Sequence, residues 1–223
     1  MKDIVTVVLK EFWELRHSLR HLYWMVVWLA LLAFIAFGDT SKSILPTTTI
    51  LAFFPSMIAM AGSGQIALDS ILSEKKSKTL EVLLSTRIST LAIVMGKIIP
   101  PTIIGYLFSL LAVGFLVSLT LVGTSFSITP EIAWLIFAYP PLISYLASCI
   151  SIVTTIIVPD EKVAPMIGTL VIITPLIILS RLGVFSLSTI AVITFIAGSI
   201  LFSGLMTWFA SFILGKTPLF TKM

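Results

Sequence analysis

Charge is scarce in this 223-residue chain. Asp, Glu, Lys and Arg make up 11% of it, where soluble domains carry roughly 25%. With 58% hydrophobic residues and a mean hydropathy of +1.14, that shortage excludes a water-soluble globular domain and leaves a polytopic membrane protein. The single cysteine, Cys149, rules out an internal disulfide; inside an apolar run it packs as a small hydrophobe. Histidine occurs only at His17 and His21, both outside the apolar runs. A membrane-buried serine nucleophile in "AGSG" (residues 61–64) would therefore lack its base, and these small residues are expected to serve close helix packing instead. No paired His/Glu motif for zinc is present. Asparagine is absent and Gln65 is the one glutamine, a depletion of thermolabile amides that apolar spans produce on their own.

What is there is hydrocarbon in long runs. A bilayer span needs about 20 mostly apolar residues, and six stretches qualify: about 22–38, 44–68, 91–122, 132–158, 163–180 and 184–214. Pro46, Pro55, Pro100, Pro101, Pro140, Pro141, Pro165 and Pro175 fall within them. Kinked or discontinuous helices are expected, with the freed backbone groups satisfied inside the bundle.

Basic residues set the orientation. With a cytoplasmic N-terminus, the inner segments hold Lys2, Lys10, Arg16, Arg20, Lys75, Lys76, Lys78, Arg87, Lys97, Lys162, Lys216 and Lys222, and the outer loops only Lys42 and Arg181. That bias places both termini in the cytoplasm. It also explains the net charge of +4 by topology, leaving no basic face for nucleic acid. The first 21 residues mix acids, bases and aromatics, without the apolar run and cleavage site of a signal peptide. The outer loops, 39–43, 123–131 and 181–187, are too short to form a ligand-capturing domain. Function is expected between the bilayer and the cytoplasm.

Two cytoplasmic elements stand out. In the N-terminal arm, residues 1–21, Val5, Val8, Phe12, Leu15, Leu19 and Leu22 recur at steps of three and four, with Asp3, Lys10, Glu14, His17 and His21 opposite. This is the pattern of an amphipathic interfacial helix, with Trp13, Tyr23 and Trp24 suited to the headgroup region. It serves either as a membrane anchor or as a brace for a cytoplasmic partner. The second element is the polar island "SEKKSKTLEVLLST", residues 73–86, within the segment 69–90. Leu80, Leu83, Leu84 and Ile88 fall on one face of a short helix, and Ser89-Thr90 offer N-cap oxygens to the third span. Such a helix either docks a partner or packs on its own bundle.

"SEKKSKTLEVLLSTRISTLAIVMGK" resembles the signature of ATP-binding cassette (ABC) type-2 permeases, the membrane subunits of type-2 ABC exporters. Their pattern after the second span is approximately E-[RK]-E-x-G-T-L-E-x-L-L-x-[ST]-P-x-[ST], followed by G-K. Glu74, Lys75, Thr79, Leu80, Glu81, Leu83, Leu84, Thr86, Ser89, Gly96 and Lys97 fit. Lys76 stands in place of an acid, Lys78 in place of the usual Gly, and Arg87 in place of the usual Pro. The resemblance implies an all-α integral membrane protein in which residues 22–223 form a six-span transmembrane domain. It implies that Glu74, Lys75, Thr79, Leu80, Glu81, Leu83, Leu84 and Thr86 form an ATPase-coupling helix between spans two and three. Phe12, Trp13, Glu14 and Arg16 belong to the interfacial helix. The implied partners are a separate nucleotide-binding ATPase subunit, a second permease subunit and membrane lipid, in the cytoplasmic membrane.

The chain itself is not expected to be an enzyme. A phosphate-binding loop needs G-x-x-x-x-G-K-[ST] between a strand and a helix. "ASFILGKT" (residues 210–217) has Ala210 for the first glycine and ends an apolar run. ATP and Mg would be bound by the partner, and this chain holds no cofactor or metal. Gln65, Tyr106, Tyr145 and Ser148 are candidates to line a pathway for an amphiphilic or apolar cargo. The alternative is an ion-coupled secondary transporter. Such proteins hold ionisable residues at mid-membrane; the interiors of these spans show none, although a sodium site of backbone carbonyls at proline breaks remains open.

Overall fold

The computed structural model describes residues 2–16, 27, 47–85, 88–121, 137–158, 163, 166–167, 170 and 189–216. Their elements are helices: α1 (Lys2–Arg16), α2 (Thr47–Lys76), α3 (Thr79–Ser85), α4 (Thr90–Leu121), α5 (Tyr139–Ile157) and α6 (Thr189–Lys216). The expected spans 22–38 and 163–180 lie almost wholly outside the described residues. Three stretches, Thr90–Ser118, Tyr139–Ile157 and Ile196–Gly215, are long and apolar enough to cross a membrane. The described residues are thus all-helical, with three helices of membrane-spanning character.

The helix boundaries follow from local chemistry. α4 starts at Thr90 because Ser89 caps it: the Ser89 hydroxyl accepts a hydrogen bond from the Ala92 amide at 3.3 Å, satisfying an otherwise orphaned donor. α5 opens with Pro140 and Pro141, which lack N–H groups that the first turn would leave unpaired, and closes where Val158 turns extended. Prolines inside the other helices do not interrupt them. Pro55 lies within α2, and Pro100 and Pro101 within α4, so the discontinuities expected at these sites are absent. The three are buried, where packing holds a helix together across the missing bonds.

α5 is the central element. Buried positions make up 72% of its most apolar window, against 22% for α6, and it packs chiefly on α2, then on α4 and α6. α6 accordingly shows Ile193, Ile200, Leu201, Leu205 and Trp208 on its exposed surface, as a helix facing lipid tails does. Within a bilayer, burial from water does not drive helix association; close packing does. Gly105 shows this directly. A Cβ at that position would lie 2.7 Å from the Ala59 carbonyl oxygen and 2.8 Å from the Ser63 Cβ. Gly105 thus lets α4 approach α2 at Ala59 and Ser63.

Contacts at both ends fix the helix directions. Ala67 and Ile71 of α2 share a core with Ile93, Val94 and Ile98 of α4, while Ile58 packs with Ala112 and Leu116. α2 and α4 are therefore antiparallel. The Lys75 ammonium donates to the Thr155 carbonyl, bringing the C-terminal ends of α2 and α5 together; a cation there also complements the helix dipole. Gly215 of α6 lies beside Thr90. The C-terminal ends of α2, α5 and α6 thus meet the N-terminal end of α4 at one end of the bundle, where α1 and α3 also sit.

Candidate functional site

Four charged side chains from three helices converge at that end. Lys97, seven residues into α4 and so about 10 Å from its start, is 2% exposed. Its ammonium lies 2.9 Å from Glu11 Oε1 of α1 and 2.9 Å from Glu74 Oε2 of α2. It also donates to the Ser70 hydroxyl at 2.9 Å. The ammonium thus donates to Glu11 and Ser70, and holds Glu74 Oε2, which accepts no hydrogen bond of its own, as an ion pair. Ser70 in turn donates to Glu11 Oε2 at 2.6 Å, so both Glu11 oxygens are engaged. Lys10 closes the group by donating to Glu74 Oε1 at 2.7 Å, and its ammonium stands 3.3 Å from Glu14.

The cluster survives burial because it is paired. Lys10 and Lys97 balance Glu11 and Glu74, and isolated charges in such a place would neutralise instead. At Glu74 burial pushes the carboxyl up, but the charges of Lys97 and Lys10 and their hydrogen bonds outweigh it, holding the group below its ordinary value. Burial pushes the Lys10 ammonium down, and the Glu74 hydrogen bond with the surrounding carboxylates reverses this, leaving it raised.

A glycine makes the geometry possible. A Cβ at Gly96 would lie 2.7 Å from the Val7 Cβ and closer still to Val7 Cγ1, so only glycine lets α1 seat this tightly on α4. The next residue, Lys97, is then within reach of Glu11, one turn along α1 from Val7. This seating changes the expected face of the arm. Val7 and Glu11 are buried, and Val8, Phe12 and Leu15 are partly buried. Val5, expected on the same apolar face, is exposed with Leu9 and Trp13. α1 is thus two-sided: one side grips the bundle and the Val5–Leu9–Trp13 ridge faces outward. Glu14 is exposed, and the side chain of Arg16 lies outside the described residues.

The island is built as expected in outline. α2 ends at Lys76, a tight turn follows, and α3 makes two turns. In the turn Ser77 N–H donates to the Ser73 carbonyl and Lys78 N–H to that of Lys75. Lys78 has φ of 56°, the left-handed conformation that glycine adopts without penalty. This is the position where the resembling pattern carries Gly. Thr79, Val82 and Ser85 are exposed, Val82 at 64%. Leu83 and Ile88, two members of the expected apolar face, pack against the bundle's own core. The side chains of Leu80, Glu81 and Leu84, and all of Thr86, lie outside the described residues.

The candidate pathway residues are dispersed. Ser148 is buried, donates to the Ser144 carbonyl at 2.9 Å and meets Thr102 at 3.4 Å. Tyr145 packs on the core, its hydroxyl 3.1 Å from Thr207 Oγ1 and 3.5 Å from Met95 Sδ. Gln65 and Tyr106 are partly buried on α2 and α4. The structure brings none of these four into a hydrogen-bonded group with another.

Sequence reasoning placed Glu74 and Lys97 at the inner end of the spans but missed that Lys97 is buried inside α4. It also missed Glu11 and Ser70. The available signal was a lone carboxylate at position 11 on the Ile4–Val7–Val8–Leu15 stripe, matched by a lone cation inside an apolar run. Among the described residues no cluster of metal-ligating side chains is present. Comparison with known families and with curated proteins finds no match for this chain.

Proposed function

We propose that this chain is the membrane-spanning subunit of a type-2 ABC exporter, driven by a separate ATPase that presses on α3. The observation that carries it is α3 itself: a distinct two-turn helix set between two long helices, with Val82 and Ser85 exposed, where a bare connection would suffice. The ionic cluster supports the same reading, since it ties the end of α2 to α1 and α4. The contact face is the Val82 side of α3, rather than the Leu83 side that the spacing suggested. The cargo class is amphiphilic or apolar, ATP and Mg belong to the partner, and a second permease completes the path.

Six spans in the cytoplasmic membrane, with both termini inside, fit the helix directions. α5 and α6 run the same way, and α1 lies at the end where α2 finishes; both directions support spans at 163–180 and 22–38.

The test pairs two substitutions. Val82→Asp puts a charge into the partner contact and abolishes co-purification with the partner ATPase, with no change in the melting temperature of the isolated permease. Leu83→Asp lowers that melting temperature. Normal ATPase capture and transport with Val82→Asp overturns the coupling role of α3.

One observation favours a second reading, an ion-coupled secondary transporter: Lys97 and Glu11 form a buried ion pair among the helices, and buried ionisable groups in membrane proteins mark ion and proton routes. Cargo movement in vesicles that carry a proton or sodium gradient, with no ATPase present, would establish it in place of the first.

A further inference from the structure

The buried charges do more than neutralise one another. Glu11 on α1 and Glu74 on α2 share one counter-ion, Lys97, at 2.9 Å to each. Glu74 also holds Lys10 of α1, and it lies two residues before the end of α2, at the turn into α3. α1 therefore has two ionic attachments, Glu11 to Lys97 of α4 and Lys10 to Glu74 at the α2–α3 junction, and Lys97 links them by holding both carboxylates. The Ser70 hydroxyl of α2 donates to Glu11, and Val7 against Gly96 adds apolar contact with α4. The opposite side of α1 already carries an apolar ridge of Val5, Leu9 and Trp13, so the helix has a surface on which to rest when it leaves the bundle.

We propose that α1 is a releasable strap whose seating is sensed at the α2–α3 junction through the shared Lys97. Displacing Glu74 removes one of Lys97's two carboxylates and the hydrogen-bond partner of Lys10 on α2, and so loosens α1; unseating α1 leaves Lys97 with Glu74 as its one carboxylate, beside Ser70, and so resets the junction. The device rests on these contacts and not on the transport reading.

The experiment uses Val7→Cys as reporter, because Val7 is 3% exposed and lies in the strap's seat. Native Cys149, 0% exposed in the core, serves as the internal control. The full chain in nanodiscs is treated with a hydrophilic maleimide and labelling is located by peptide mass. With the native cluster both thiols stay protected. Glu11→Gln, Lys97→Met and Glu74→Gln, each added singly, raise Val7→Cys labelling roughly tenfold or more while Cys149 stays protected, the signature of local opening rather than unfolding. Lys97→Arg, which keeps the charge, retains protection. Should Lys97→Met expose Cys149 as well, the two Gln variants decide. Unchanged protection in Glu11→Gln overturns the ionic strap, since apolar packing then suffices. Exposure in Glu11→Gln without exposure in Glu74→Gln overturns the sensing by the junction.

Discussion

Glu11 and Lys97, 86 positions apart in the chain, meet at 2.9 Å with both side chains almost wholly buried. Breaking a buried pair from one side leaves the other charge uncompensated, which costs about 3–5 kcal/mol. Lys97→Met is expected to lose about that much, because two carboxylates are left with Lys10 alone. Glu11→Met with Lys97 intact is expected to lose less, since Glu74 still balances the ammonium. Thermal unfolding of both variants in one detergent checks the order; equal loss would show that Lys97 does not bridge the two.

Gly96→Leu is expected to unseat α1, because even a Cβ there meets Val7 at 2.7 Å. Gly96→Ala with Val7→Ala in the same chain relieves the nearest clash and restores part of the seating. Limited proteolysis within residues 2–16 reads the outcome: fast in Gly96→Leu, slower in the double variant. Gly198 and Gly204 of α6 meet nothing within 4 Å, and alanine at either leaves the cleavage rate unchanged.

Lys78→Gly is expected to stabilise the chain by about 0.5–1 kcal/mol. The left-handed backbone penalises an L side chain by about 1–2 kcal/mol, and the greater freedom of glycine in the unfolded chain returns part of that. Lys78→Pro does the reverse. It forces a negative φ and removes the N–H that donates to the Lys75 carbonyl. A higher melting temperature for Pro than for Gly would contradict the turn described here.

The pH dependence follows from the directions of the two shifts. Glu74 is held below its ordinary value of 4.5, so its stabilisation is complete above that value and is lost as the pH falls through the lower folded one. Lys10 is raised above 10.5, so its share is complete below that and is lost as the pH rises through the higher folded value. Melting temperatures of the native protein and Glu74→Gln should therefore differ by a constant amount from about pH 5 to pH 9 and converge in stronger acid. A difference that grows toward acid would reverse the sign of the Glu74 shift.

Much of the helical outline was legible because apolar runs and capping residues act locally. The Ser89 cap set the start of α4, and the polar break at 77–78 separated α2 from α3. The prolines were partly legible: Pro100 and Pro101 leave α4 continuous, and that depends on the packing around them. The ion cluster was half legible. Lys97 could be counted as a cytoplasmic charge from sequence, but its partner lies 86 residues away, and only the close pass at Gly96 determines which carboxylate it meets. The direction of Leu83 was likewise a matter of tertiary contact; the spacing of Leu80, Leu83, Leu84 and Ile88 defines a face without saying what it faces.

The span of sequence between Glu11 and Lys97 also sets an order of events during synthesis. At about 5–20 residues per second, the 86-residue interval takes about 4–17 s, during which the carboxylate of α1 exists and its lysine does not. By the end of that interval α1 has Ser70 and Glu74 of α2 to hold but no seat on α4. Docking of α1 on α4 is thus a late step in biogenesis, and a nascent chain stalled before residue 97 presents α1 without its α4 seat.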